Sequence, residues 1–247
     1  MKLVRAEFLK LRKRRGLVAL AALLTIAPVV IGYSALSYLH ATNPADYGPA
    51  GGTDDLAGAV ELLAQIGLVA AIIVGATAGA GDVGAGVFRE LVVTGRSRLA
   101  LFAARIPGGL ALLLPLVAFA FSLAAGASIA LAGSDQAPGP ELLLRYGAWI
   151  GVGSFSAFLL GVGVASALGS RAMSIGLLLG WQLAAAPILL ATGKLDAVLP
   201  NAALLRLEPG DAGRPLSISV TTAAVVLAVW TLVPLAAGAW RTRTADA

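Results

Sequence analysis

Residues 58–80 read GAVELLAQIGLVAAIIVGATAGA, an apolar run in which the one charged residue, Glu61, lies near the start. A helix needs about 20 mostly apolar residues to cross a hydrocarbon core of about 30 Å. Runs of similar length and composition recur along the chain. The sequence therefore predicts an all-α integral membrane protein with six transmembrane helices. The predicted spans are residues 17–39, 58–80, 107–132, 146–169, 172–192 and 217–240.

Composition supports a membrane class. Of the 247 residues, 58% are hydrophobic and 13% are charged, whereas a soluble domain has about 25% charged residues. We therefore expect a single transmembrane domain over residues 1–247. The chain has no cysteine and one histidine, His40, which excludes thiolate sites and two-histidine mechanisms, so no catalytic or metal site is expected. The net charge of +5 does not indicate nucleic acid, because the basic residues flank apolar runs, as topology signals do.

The distribution of Lys and Arg predicts the orientation. Residues 1–16 and the connection 81–106 are rich in basic residues, whereas residues 40–57 carry acids and no Lys or Arg. Basic residues accumulate on the cytoplasmic side of a membrane. We therefore expect both termini in the cytoplasm and an extracytoplasmic loop at residues 193–216.

The N-terminal segment, residues 1–16, has helical periodicity. Its apolar residues Met1, Val4, Phe8 and Leu11 share one face and are flanked by basic residues. This pattern favours an amphipathic helix on the inner membrane surface, although a basic flank without a defined helix fits as well. A cleaved signal peptide is disfavoured, because the following apolar run is longer than the apolar region of a signal peptide, which usually has about 7–15 residues.

Polar residues inside the predicted spans are candidates for a substrate path. Glu61 is the one acid within a span, and Gln65 lies one turn deeper on the same face. Acids inside a membrane are functional candidates by default. We include Gln182 of the fifth span as the third candidate. The alternative for Glu61 is a solvated position, since it lies about one turn from the outer end of its helix and could reach the headgroups.

Glycine motifs indicate turns and packing rather than nucleotide binding. Residues 79–84 match GxGxxG, but that fingerprint needs a preceding strand, and here a predicted transmembrane helix precedes it. No GxxxxGK[ST] sequence is present, so the chain lacks a P-loop. The GxxxG pairs Gly75–Gly79, Gly147–Gly151 and Gly176–Gly180 predict close packing of helices.

The connection 81–106 carries the most informative pattern. Residues 86–93 can form two helical turns with Phe88 and Leu91 on one side, and Ser97 can cap the next helix. An exposed helix with an apolar side is typical of a surface that docks a partner. A loop that skims the membrane and is held by its arginines explains the same residues equally well.

This connection resembles that of type 2 ABC exporter permeases. Their pattern is an acid, a Gly-(Thr)-x-Arg element, a Ser-Arg pair and a basic residue that enters the third helix. The matching positions here are Asp82, Gly86, Arg89, Ser97, Arg98 and Arg105. The layout of six spans and the sequence Leu-Pro-Asn-Ala-Ala at 199–203 are also similar. This sequence departs from the commoner form in having Asp for Glu and no Thr after Gly86.

The resemblance implies that residues 81–106 contain a coupling helix that docks on a separate ATPase subunit. The implied docking residues are Asp82, Gly86, Phe88, Arg89, Leu91, Ser97, Arg98 and Arg105. Two permeases, identical or not, would pair with two ATPases in a bacterial plasma membrane. ATP and Mg would bind to the ATPase partner, and this chain would bind no cofactor and would not be an enzyme. The expected function is efflux of an amphiphilic or hydrophobic substrate.

Two other functions remain open. A secondary transporter would use ionisable groups near the membrane midplane, for which Glu61 alone is modest support. A non-transporting membrane partner or sensor could use the same docking loop. A membrane enzyme is disfavoured, because such enzymes need paired acids or several histidines around the reacting bond.

Overall fold

The fold is known from a computed structural model that describes residues 2–84, 95, 97–210 and 218–244. Its regular structure within these ranges is helical, with no strand. The helices are α1 (Lys2–Lys13), α2 (Arg15–Thr42), α3 (Thr53–Gly84), α4 (Arg98–Ala130), α5 (Pro140–Leu168), α6 (Arg171–Ala191), α7 (Pro200–Arg206) and α8 (Val220–Thr244).

Within the described ranges, six helices are long and apolar enough to cross a membrane: α2, α3, α4, α5, α6 and α8. This confirms the predicted all-α class and the predicted number of spans, and it is the architecture of a multi-pass membrane protein. The helices extend beyond most of the predicted apolar windows. The largest difference is in α4, which begins at Arg98 rather than at residue 107 and therefore includes Arg105.

The connections between the long helices alternate between two ends of the bundle. At one end, Arg105 Nη1 of α4 donates to Gly79 O of α3 at 2.7 Å, and Arg241 Nη1 of α8 donates to Ala167 O of α5 at 2.8 Å. We call this the basic end. At the opposite end, Gly52 N before α3 donates to Ser128 O of α4 at 2.8 Å. Which end faces the cytoplasm stays a prediction.

Helices α3 and α5 form the centre of the bundle, each with 56% of its apolar window buried against 11% for α8. Small residues allow their backbones to meet. A Cβ at Gly75 would overlap the Phe158 carbonyl group, and one at Gly79 would lie 2.6 Å from Val162 O. The Gly75–Gly79 pair is thus a packing contact, as predicted. Gly151, Gly176 and Gly180 instead have nothing within 4 Å of an added Cβ.

Helix α6 changes its winding in the middle. Residues Trp181–Ala185 form a π-helical turn, and the N–H of Ala186 reaches back to Trp181 O. Pro187 follows immediately, and a proline ring clashes with the carbonyl group four residues earlier in a regular helix. The wider turn accommodates that ring without breaking the helix. It also changes the direction in which the side chain of Gln182 leaves the helix.

Helix α1 packs against the start of α4. Leu11 is fully buried and Phe8 is half-buried against the core. A Cβ at Gly108 of α4 would lie 2.6 Å from the Cβ of Glu7, so the glycine permits the close approach of the two helices. The structure thus shows a helix in the N-terminal segment, whose apolar face contacts the bundle. That this helix lies on a membrane surface stays a prediction.

Candidate functional site

Two groups of polar residues are candidate sites, and the first is a cluster of four charged side chains at the basic end. Lys10 Nζ of α1 lies 2.7 Å from Asp82 Oδ1, in the last turns of α3. Arg105 Nη2 of α4 lies 3.6 Å from Asp82 Oδ2. Lys10 also pairs with Glu7 at 2.5 Å, within α1. We call Glu7, Lys10, Asp82 and Arg105 the buried ion cluster.

The buried ion cluster is formally neutral, and three of its four side chains are buried, with Lys10 partly exposed. Arg105 is 1% exposed and Asp82 is 3% exposed. Charges at such depth are tolerated only when they are paired and hydrogen-bonded. Arg105 also donates to Gly79 O, which accepts a second hydrogen bond from Ser166 Oγ of α5 at 3.1 Å. The cluster therefore joins α1, α3 and α4 and is linked to α5.

This cluster includes two of the residues predicted to dock an ATPase, Asp82 and Arg105. Asp82 lies in the last turn of α3 and Arg105 lies two turns into α4, so the two flank the connection, and their side chains contact each other and the interior. They are therefore placed to hold the ends of that connection together rather than to present charge at the surface. Sequence reasoning missed the role of Glu7, although it is the one acid in the basic N-terminal segment.

The other predicted docking residues are placed as follows. Ser97 is exposed, and its Oγ accepts a hydrogen bond from Ala100 N at 3.1 Å, so that it caps α4 as predicted. Arg98 is half-buried in the first turn of α4. Direct contact of either residue with a partner stays a prediction. The predicted docking residues Gly86, Phe88, Arg89 and Leu91, and the predicted coupling helix itself, lie outside the described residues.

The second group lies toward the opposite end, where the three predicted substrate-path residues meet. Glu61, Gln65 and Gln182 line one cavity of about 440 Å³. We call it the α3–α6 cavity. Other residues of its wall are Ala64, Leu68, Trp149, Leu183, Asn201 and Leu204. The sequence places Glu61 and Gln65 on one face of one predicted helix and Gln182 on another helix, and the convergence of the three on one cavity is a property of the fold.

Hydrogen bonds order the polar part of the α3–α6 cavity. Gln65 Nε2 donates to Glu61 Oε1 at 3.2 Å, along one face of α3. Asn201 Nδ2 of α7 donates to Gln182 Oε1 at 3.2 Å. The π-helical turn of α6 is what carries Gln182, and such turns frequently occur at functional sites. The cavity wall thus combines one carboxylate and three amides with apolar side chains.

Helix α7 closes one side of the α3–α6 cavity and is held by two indoles. Trp149 Nε1 of α5 donates to Leu204 O at 2.8 Å, and Trp230 Nε1 of α8 donates to Val198 O at 2.8 Å. Trp230 also stacks on Trp181 of α6, with the ring centroids 5.2 Å apart. These contacts attach the connection between α6 and α8 to three transmembrane helices.

A smaller, mainly apolar cavity of about 50 Å³ adjoins the first one. The two share Leu68, Gln182, Asn201 and Leu204 as wall residues, and the smaller one is also lined by Trp181 and Trp230. Trp181 Nε1 is buried there and has no acceptor in the described part of the chain. A ligand that enters the α3–α6 cavity would therefore find an apolar extension with one available N–H donor.

A second carboxylate lies near the α3–α6 cavity, in the connection after α7. Burial raises the pKa of Glu208, and the charge of Glu61 raises that pKa further. A like charge nearby favours the neutral form of a carboxyl group. The electrostatic potential in and around the cavity is therefore negative. Sequence reasoning missed Glu208, because its distance from Glu61 depends on how α7 folds back over the bundle.

No protein-family model and no curated protein matches this sequence. Function must therefore be inferred from the residues and their arrangement.

Proposed function

We propose that this chain is the membrane-spanning permease subunit of an ATP-driven exporter of the type 2 ABC class. A separate ATPase subunit would dock on the connection between α3 and α4, and a second permease would complete the pathway. The chain itself would bind no nucleotide. Its substrate would be amphiphilic or hydrophobic, since the α3–α6 cavity has a mostly apolar wall.

The observation that carries this proposal is the buried ion cluster at the ends of the α3–α4 connection. It joins α3 and α4, the two helices that this connection links, to the N-terminal helix α1. A force applied to residues 85–96 by a docked partner would therefore reach three helices together. That is the property a coupling element needs, and it supports the resemblance seen in the sequence.

Helix α3 offers a direct route between the two candidate sites. It carries Asp82 at the basic end and Glu61 in the α3–α6 cavity. At about 1.5 Å per residue, the two lie about 30 Å apart along one continuous helix. Movement of the docked end would therefore shift a wall of the cavity, which is how ATP hydrolysis outside the membrane could alter substrate binding within it.

The second candidate function is a secondary transporter. It is favoured by one specific observation, the position of Glu61 in a cavity between transmembrane helices, because ionisable groups there couple transport to ion movement in such proteins. A non-transporting partner or sensor would use the α3–α4 connection alone and would need no cavity.

The test is purification of the tagged chain from its native membranes in mild detergent, with identification of the proteins that accompany it. The variants Phe88→Asp and Arg89→Glu alter the proposed docking segment. Tyr47→Asp and Lys194→Glu make the same kinds of change at exposed positions of the opposite end and serve as matched controls.

We expect a P-loop ATPase to accompany the wild type and both controls, and to be lost from both docking variants. Recovery of the intact chain without any ATPase, from cells that express one, would overturn the proposal in favour of a secondary transporter. Equal recovery of the ATPase with all five proteins would place its binding site elsewhere and would remove the coupling role of residues 85–96.

A further inference from the structure

The charge in the α3–α6 cavity is exposed and has no described ion pair, in contrast to the charges of the buried ion cluster. In the described ranges, the ion pairs all belong to Glu7, Lys10, Asp82 and Arg105. Glu61 is the one charged residue in the wall of the cavity, and its described polar contact is the neutral amide of Gln65. Its carboxylate therefore has no cationic partner among the residues described.

The surroundings of Glu61 add to this negative charge. Glu208 lies close enough for the charge of Glu61 to act on its carboxyl group. No Lys or Arg belongs to the described walls of the α3–α6 cavity or of its apolar extension. Glu61 is exposed at the mouth of this open cavity. A carboxylate there, with no cation in the described wall, attracts a positively charged ligand and disfavours an anion.

The volumes and wall residues of the two adjoining cavities indicate the size and polarity of the rest of the ligand. The larger cavity, at about 440 Å³, lies within the size range of sites for drug-sized molecules, about 300–1,000 Å³. Three amides, from Gln65, Gln182 and Asn201, surround the polar part, and Leu68 and the stacked indoles of Trp181 and Trp230 line the apolar extension. Indole faces also attract cations.

We propose that the α3–α6 cavity binds an amphiphilic cation, with Glu61 as the counter-charge for its positive group and the Trp181–Trp230 extension as the site for its apolar part. This inference rests on the proposed export function for its physiological meaning, because the bound cation would be the class of substrate that is exported. The binding itself requires no ATPase.

The test uses the full chain in phosphatidylcholine nanodiscs and two radiolabelled probes of nearly equal shape and opposite charge, tetraphenylphosphonium and tetraphenylborate. Equilibrium dialysis measures binding, with empty nanodiscs subtracted to remove partition into lipid. We expect saturable binding of the cation to the wild type and about tenfold weaker binding to Glu61→Gln, as for loss of one partly solvated charge pair. Glu141→Gln removes an exposed acid in the first turn of α5 and should bind like the wild type.

Charge reversal at Glu61 distinguishes loss of the binding site from loss of the folded structure. Glu61→Lys should lose the cation and gain affinity for tetraphenylborate, which an unfolded chain would not do. Equal affinity of the wild type and Glu61→Gln for the cation would overturn the proposal, and so would equal affinity of the wild type for both probes. Either result would leave the recovery of an ATPase unaffected, so failure of this inference is distinct from failure of the export function.

Discussion

The two ends of the bundle treat charge in opposite ways. At the basic end, the buried side chains of Glu7, Asp82 and Arg105 and the half-buried Lys10 are joined across α1, α3 and α4. In the α3–α6 cavity, Glu61 lies among amides and apolar side chains without a described cation. Paired charges at such depth hold helices in a fixed arrangement, whereas an acid without a partner keeps its capacity to bind a ligand. The comparison separates a structural role from a binding role for ionisable groups in one membrane protein.

The most direct way to break this comparison is Arg105→Leu. The change removes one of the two cations that pair with Asp82 and leaves Lys10. Breaking a buried ion pair completely costs about 3–5 kcal/mol, so we expect a loss near the lower end of that range. We expect a markedly lower midpoint of thermal unfolding, followed by circular dichroism in detergent. Arg5→Leu, at an exposed position of α1, should change stability by no more than about 0.5 kcal/mol. A wild-type midpoint for Arg105→Leu would show that the buried ion cluster does not stabilise the fold.

Lys10→Met sharpens the comparison, because the Lys10 side chain is 28% exposed where that of Arg105 is 1% exposed. Partial hydration reduces the loss, so we expect about 1.5 kcal/mol, the lower end for a hydrogen bond to a charged group. The same unfolding measurement applies. The double variant Lys10→Met with Asp82→Asn should lose less than the sum of the single losses, since both remove one interaction. Strict additivity would mean that the two side chains do not interact in the folded chain.

Glu61→Gln should leave stability nearly unchanged, within about 0.5 kcal/mol of the wild type. The glutamine keeps the size of the side chain and an oxygen that can accept from Gln65, and it removes no described ion pair. The matched change in the cluster, Asp82→Asn, should lower the unfolding midpoint substantially, because it removes the carboxylate that pairs with both Lys10 and Arg105. If both changes lowered the midpoint equally, the distinction between the two regions would fail.

The smallest expected effect is in Glu208→Gln. The raised pKa of Glu208 means that its proton binds more tightly in the folded chain than in the unfolded chain, so the wild type loses stability as pH rises through that pKa. The neutral glutamine avoids this loss. We therefore expect a slightly higher unfolding midpoint at neutral pH, with a difference that shrinks as the pH is lowered. Glu141→Gln, at an exposed position, is the matched control, and an equal rise in its midpoint would contradict the assignment of the effect to Glu208.

Sequence reasoning succeeded where a property depends on adjacent residues. The six spans follow from contiguous apolar runs, and the cap formed by Ser97 follows from its position before α4. Helix α4 begins at Arg98, before the predicted span, and the contact of Arg105 with Asp82, which accommodates this charge in the helix, could not be read from adjacent residues. The π-helical turn before Pro187 was not predicted either, since a proline can be accommodated by several local changes of helical geometry.

The sequence by itself determined that the chain is helical and has six segments able to cross a membrane, because hydropathy over about 20 residues depends on composition alone. It also identified Glu61, Gln65 and Gln182 as unusual within those segments. Only the tertiary structure decided that these three side chains line one cavity and that Lys10 meets Asp82, 72 residues away. The reason is physical: such contacts depend on the rotation and packing of whole helices, which small residues such as Gly75 and Gly108 permit.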